Sequence, residues 1–305
     1  MRRPLNHWLL LFALVAMWGS SFLLTKVAVR GFTPATLVTL RIILAAILLT
    51  GFALLSRRRF PANGKFWLFS LMLAVCGNSL PFWLTSFGQQ EVASGLAGIF
   101  MGIIPVTTMV LAHFFVPGER LSPAKAVGFL LGFAGLIVLI GPDALLELQG
   151  HGTALLYELA ILGAAICFAV NNIVARHRPR ADALVAAAGM MLAGSLIMAP
   201  LGLPPLPVEL GTASTSALIA AIALGVMSTA VATVVFLKLV STAGPSFASF
   251  ISYLIPVWAV LLGAVALGER LEARSLLALL LILGGIGLSE MGARRMMAAA
   301  ASDRG

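Results

Sequence analysis

The sequence predicts an all-α integral membrane protein of ten transmembrane helices, arranged as two inverted five-helix repeats. Three observations carry that prediction. Of 305 residues, 60% are hydrophobic and 10% charged, where a soluble domain carries about 25% charge; the mean hydropathy of +1.05 therefore calls for lipid rather than for a large core. Apolar stretches of about 20 residues, enough to cross a hydrocarbon layer of about 30 Å, recur along the whole length. The chain also states one pattern twice, about 150 residues apart.

The apolar runs are continuous, without the two-residue alternation of a membrane barrel, so each reads as a helix. Span 1 (7–28) follows Met1-Arg2-Arg3 and imitates a secretory signal peptide, but its run continues to about Val29 without a small-residue cleavage site and is expected to be retained. Span 2 (34–55) opens at Pro34 and carries Arg41 about one to two turns in. Span 3 (66–87) contains Asn78, Ser79 and Pro81, span 4 (92–116) contains Pro105, and span 5 (122–140) contains Gly128 and Gly132. Span 6 (152–175) includes Asn171 and Asn172. Span 7 (182–202) is nearly featureless, span 8 (215–239) holds Ser228, Thr229 and Thr233, span 9 (244–267) holds Pro256, and span 10 (272–291) holds Gly284, Gly285 and Gly287.

Between spans 5 and 6 the segment from Gly141 to Gly152 has helix-breaking Pro and Gly and two acidic residues. It divides a first repeat at 1–141 from a second at 153–305, with 142–152 as an outer connecting loop. Five spans per repeat is an odd number, so the second copy must enter the bilayer upside down. Basic residues resist translocation, and an inside N-terminus puts fifteen of the 20 Lys and Arg on the cytoplasmic side. Both termini are therefore expected in the cytoplasm. That bias accounts for the net charge of +9 through attraction to anionic head groups, with no nucleic-acid partner required.

The two copies close alike. Ile104-Pro105-Val106, then Gly118-Glu119-Arg120-Leu121, then a Gly-rich helix matches Ile255-Pro256-Val257, then Gly268-Glu269-Arg270-Leu271, then a second Gly-rich helix. Inverted repeats of this kind suit secondary transport, because two similar halves can exchange roles and open a central site to either side in turn. The opening run Ala16-Met17-Trp18-Gly19-Ser20-Ser21-Phe22, followed by Lys26, Pro34 and Arg41, together with the doubled Pro-Val to Gly-Glu-Arg pattern, resembles an EamA-type repeat of the drug/metabolite transporter superfamily over nearly the whole chain. That resemblance implies a ten-helix exporter of small metabolites, often amino acids, in a bacterial inner membrane. Drug or organic-cation efflux is the alternative, and lipid translocation or a structural membrane role is the alternative of a different class. Span 6 departs from the pattern, with Phe168, Asn171 and Asn172 where span 1 has Trp-Gly-Ser.

Polar groups inside a span normally face a partner or a cavity. The residues expected to line the passage and bind solute are Trp18, Ser21, Asn78, Ser79, Trp83, Phe100, Asn171, Asn172, Ser228 and Tyr253. Asn and Ser equally bind helices to one another, and aromatics equally pack. Pro105 and Pro256, read as mid-helix kinks repeated in both copies, and Arg41 with Glu158 as its internal partner, are expected to act as hinges or gates. Arg41 can alternatively attract a carboxylate at the outer mouth or snorkel to the head groups; its counterpart in the second copy is Met191. Glu119 and Glu269, at the Gly-Glu-Arg turns, read as architectural. No phosphate-binding Gly-x-x-x-x-Gly-Lys motif, zinc helix or nucleophile elbow is found, so no cofactor, metal or catalytic residue is assigned and no enzyme activity is expected. The partners are a small-molecule solute and membrane lipid. A monomer suffices for this scheme and a dimer is compatible with it.

Overall fold

A computed structural model describes residues 4–88, 91–92, 100–117, 119, 121–140, 152–255, 257–258, 277–278, 280–289 and 291–292. Among them ten apolar helices follow one another: α1 (Leu5–Ala28), α2 (Pro34–Leu55), α3 (Gly64–Gly88), α4 (Ile103–Phe115), α5 (Pro123–Ile140), α6 (Gly152–His177), α7 (Ala183–Gly202), α8 (Thr215–Ala243), α9 (Pro245–Ile255) and α10 (Leu280–Ser289). Each falls on the predicted span of the same number. No strand occurs among the described residues. A short exposed helix, Leu206–Thr212, joins α7 to α8 and has no counterpart in the apolar pattern.

Local chemistry sets several helix starts. Thr33 accepts a hydrogen bond from the Thr36 amide, with Pro34 at the first helical position of α2. Asn63 accepts from Phe66, Asp182 from Leu184 and Ser214 from Ala217, capping α3, α7 and α8. These side chains satisfy amides that the first turn leaves without a partner. Between α8 and α9 the chain turns at Gly244, whose φ of 91° is closed to most other residues.

Packing follows the repeat. The broadest helix contact is α2 against α7, equivalent members of the two copies. Val38, Ile42, Ala45 and Ala46 of α2 are buried with Ala186, Ala187, Met190 and Ala193 of α7 in the main core cluster, and Gly194 leaves room for Ile42. Around this axis contacts occur in exchanged pairs. α3 packs on α6 as α8 packs on α1, and α2 packs on α8 as α7 packs on α3.

The connections show the inversion directly. Thr33, between α1 and α2, donates its amide to Glu209 Oε2, between α7 and α8, at 3.0 Å. Arg58, between α2 and α3, lies 3.6 Å from Asp182, between α6 and α7. Advancing each label by five helices turns the first pairing into the second, so equivalent connections lie at opposite ends of the bundle. Large apolar side chains such as Phe52, Leu55, Leu68, Leu196 and Ile219 stay exposed around the outside, a surface that lipid covers at no cost.

Candidate functional site

Two helices are interrupted at equivalent places. Within α3 the segment Val75–Ser79 is π-helical, and within α8 so is Leu224–Val231. Positions 150 apart correspond, so Asn78 and Ser79 match Ser228 and Thr229. A π-turn inserts one residue into the helix, widens it and re-aims its side chains; such turns are rare and concentrate at functional sites. All four of these polar side chains are buried.

The second-copy π-segment is held by α1 and α2. Trp18 Nε1 donates to the Ser228 carbonyl at 3.0 Å, and Ser228 Oγ donates back to the Met17 carbonyl at 3.0 Å. Arg41 Nε donates to Thr229 Oγ1 at 3.2 Å, and that hydroxyl donates to the Leu224 carbonyl at 2.9 Å. The Arg41 guanidinium also lies 4.3 Å above the ring of Phe82 on α3. In the other half Asn78 Nδ2 approaches Met191 Sδ at 3.4 Å. Arg41 and its counterpart Met191 thus each reach the π-segment of the opposite repeat, one with a cation and one with a thioether. Replacing Trp18 with Phe removes a donor while keeping an apolar ring and is expected to cost about 1 kcal/mol. Thermal unfolding in detergent checks this, against a smaller change for Trp67→Phe, whose side chain is exposed.

The predicted site residues divide into groups. Asn171 and Asn172 are buried on α6; Asn172 Nδ2 donates to Thr108 Oγ1 at 3.0 Å, while Asn171 Oδ1 and Ser79 Oγ are buried without a hydrogen-bond partner. Ser21 Oγ donates to the Trp18 carbonyl at 2.6 Å. Phe100 is half-buried. Trp83 is exposed and stacks on Phe87, which stacks on Tyr157. Tyr253 is fully buried, donates to the Phe129 carbonyl at 2.8 Å and packs against Gly132. It joins α9 to α5.

One gating expectation needs correction. Arg41 is not paired with Glu158: its contacts are Thr229 and Phe82, and Glu158, buried on α6, is engaged elsewhere. The side chains share a depth but not a direction, which hydropathy cannot reveal. Pro105 lies three residues after Gly102, where a single turn position separates helical Phe100 and Met101 from Ile103–Phe115. Pro256 and Glu269 lie outside the described residues.

At the end of the bundle where α4, α6 and α8 finish, a cavity of about 840 Å³ is lined by Arg176, His177, Arg178, Arg180 and Asp182 among others. Arg176 donates to the Ser241 carbonyl at 2.7 Å, tying α6 to α8. Burial lowers the Arg178 pKa, partly opposed by Asp182. A cationic opening of this kind lies beneath the polar groups of α6.

A profile of the EamA-like transporter family matches residues 6–141 and 155–291. The chain is 27% identical over 287 residues to the uncharacterized inner membrane transporter YedA of Escherichia coli (strain K12), covering 92% of this chain and 90% of that one. An uncharacterized transporter of Archaeoglobus fulgidus is 24% identical over 282 residues, covering 92% and 98%. A WAT1-related chloroplastic protein of Arabidopsis thaliana, At3g02690, is 26% identical over 284 residues, covering 88% and 66%. A solved crystal structure superimposes with a TM-score of 0.74 at 22% identity over 93% of this chain and 98% of that one, a likeness of fold.

Proposed function

This chain belongs to the EamA-like transporter family, and from that premise we propose that it exports small metabolites, amino acids foremost, across the inner membrane by alternating access. Both termini face the cytoplasm in this reading. The observation that carries it is the exchange of helix pairings between the halves, with a π-interrupted helix of each half meeting the other half at its centre. A bundle so paired can repack by trading equivalent contacts, opening first one end and then the other. Asn78, Ser79, Asn171, Asn172, Ser228 and Trp18 line the passage. Tyr253 and Trp83 take packing roles in this proposal, and Pro105 and Pro256 remain as hinges.

Transport runs down the solute's own gradient. Coupling to protons or sodium ordinarily uses a buried ionisable group in a span, and among the described residues Glu158, within the first two turns of α6, is the carboxylate set furthest into a helix. Counterflow of radiolabelled amino acids and lipophilic cations in proteoliposomes tests both statements. Amino-acid exchange without uphill accumulation under an imposed pH gradient is expected. Accumulation against the gradient would replace the facilitator with a coupled carrier, and lipid scrambling without solute exchange would remove the transport reading altogether.

A further inference from the structure

We infer that Arg41 binds the carboxylate of the transported solute, so that the passage admits carboxylate-bearing molecules and rejects organic cations. This deepens the transport reading and rests on it. Arg41 is the eighth residue of α2, about 10 Å along the helix axis from its start. Its side chain is buried between α3 and α8. A guanidinium has five N–H donors, and here one of them, on Nε, is spent on Thr229.

Among the described residues no carboxylate pairs with Arg41, whose contacts are Thr229 and Phe82. The helices that surround it, α2, α3, α7 and α8, contain no Asp or Glu anywhere in Pro34–Leu55, Gly64–Gly88, Ala183–Gly202 or Thr215–Ala243. Their remaining charges are Lys65 and Lys238, near helix ends and of the same sign. Glu158, the acid the sequence offered as a partner, is engaged elsewhere. A buried cation kept without an internal anion is costly unless an anion reaches it during function. An Arg held only for packing would gain the ring contact and the Thr229 bond but leave its other donors without charged partners.

The contacts also orient the group. Thr229 holds the Nε corner and Phe82 covers one face, leaving the edge formed by the two terminal nitrogens for a carboxylate, which such an edge binds through two parallel hydrogen bonds. Phe82 meets Phe168 on α6, ring centres 6.1 Å apart, and one turn beyond Phe168 lies Asn171, whose Oδ1 is buried without a donor. A lipophilic cation finds a buried positive charge there, among helices α2, α3, α7 and α8 that carry no acid.

The test uses the full chain in detergent and in proteoliposomes, with the proteinogenic amino acids, the amides of the same side chains, and tetraphenylphosphonium as probes. Amino acids are expected to raise the Tm and to exchange in counterflow, with the matched amides weaker by about 100-fold in affinity. Arg41→Gln is expected to abolish that difference by losing the acid's advantage, and Arg41→Lys to restore part of it. Amides or tetraphenylphosphonium binding as well as the acids, or no stabilisation by any amino acid, overturns the inference. Should Arg41→Gln not fold, the wild-type comparison of acid with amide decides alone. Acids that bind through Arg41 without counterflow would sink the transport reading and leave the site standing, whereas counterflow of cations would do the reverse.

Discussion

Replacing Lys125 with Met is expected to destabilise the protein by about 3–5 kcal/mol, because it strands a charge in an enclosed place. Lys125 Nζ donates to Glu119 Oε2 at 2.9 Å and to Ser246 Oγ at 3.2 Å. The Lys125 and Glu119 side chains are only 7% and 19% exposed. Glu119 belongs to the turn between α4 and α5, and Ser246 to the start of α9. The other carboxylate oxygen of Glu119 lies 2.5 Å from the Cβ position absent at Gly244, closer than any side chain there would allow. One ammonium therefore fastens the α4–α5 turn of the first repeat to the α8–α9 connection of the second. With the lysine gone, Glu119 is left desolvated beside a hydroxyl. The double variant Lys125→Met/Glu119→Gln removes both charges and is expected to recover most of the loss. Thermal unfolding in detergent, where the single change should lower Tm by roughly 10 °C, distinguishes these outcomes; a double variant no better than the single would mean that the ion pair is not what holds the turn.

The next largest effect is expected where α5 and α10 touch. A Cβ added at Gly128 would lie 2.5 Å from the Gly285 carbonyl oxygen and 2.6 Å from the Ser289 amide; one added at Gly285 would lie 2.5 Å from the Gly128 carbonyl oxygen and 2.6 Å from the Gly132 amide. These obstacles are backbone atoms, which cannot rotate aside, so the helices must part and lose the contacts they make in lipid through close approach. Gly128→Leu or Gly285→Leu is expected to cost about 2–4 kcal/mol, read as lost monodisperse protein and lowered Tm. Gly51 and Gly287 have nothing within 4 Å of the added atom. Alanine at either is expected to be neutral or stabilising by a few tenths of a kcal/mol up to about 1. Equal damage at all four positions would show that close backbone approach is not what sets them apart.

The glycines show how far the sequence could be read. Gly128 and Gly132, four apart, already point to a close helix contact, and the doubled Gly-rich helices suggest that both copies make one. Which residues meet was not legible. Gly285 faces Gly128, while Gly287, two residues on, faces open space, because a helix turned by two residues presents the opposite side. The site divides in the same way. Asn78, Ser79, Asn171, Asn172, Ser228 and Arg41 stand out as polar residues in apolar spans. The polar residues of Val75–Ser79 and Leu224–Val231 are legible in the sequence, but the π-turn that re-aims them is not. Thr229 was one hydroxyl among several until the π-turn aimed it at Arg41.

The amino-acid sequence by itself determined the solvent, the ten spans and the duplication. Transfer from water to lipid is close to additive over residues, and an odd number of crossings per repeat forces inversion. Only the tertiary structure decided that Arg41 meets Thr229 and Phe82 rather than Glu158, that Tyr253 closes on Phe129, and that Lys125 joins the two halves. Those partnerships depend on the rotation of each helix about its own axis. Packing of all ten against one another fixes that rotation, and the hydropathy of a span is nearly blind to it.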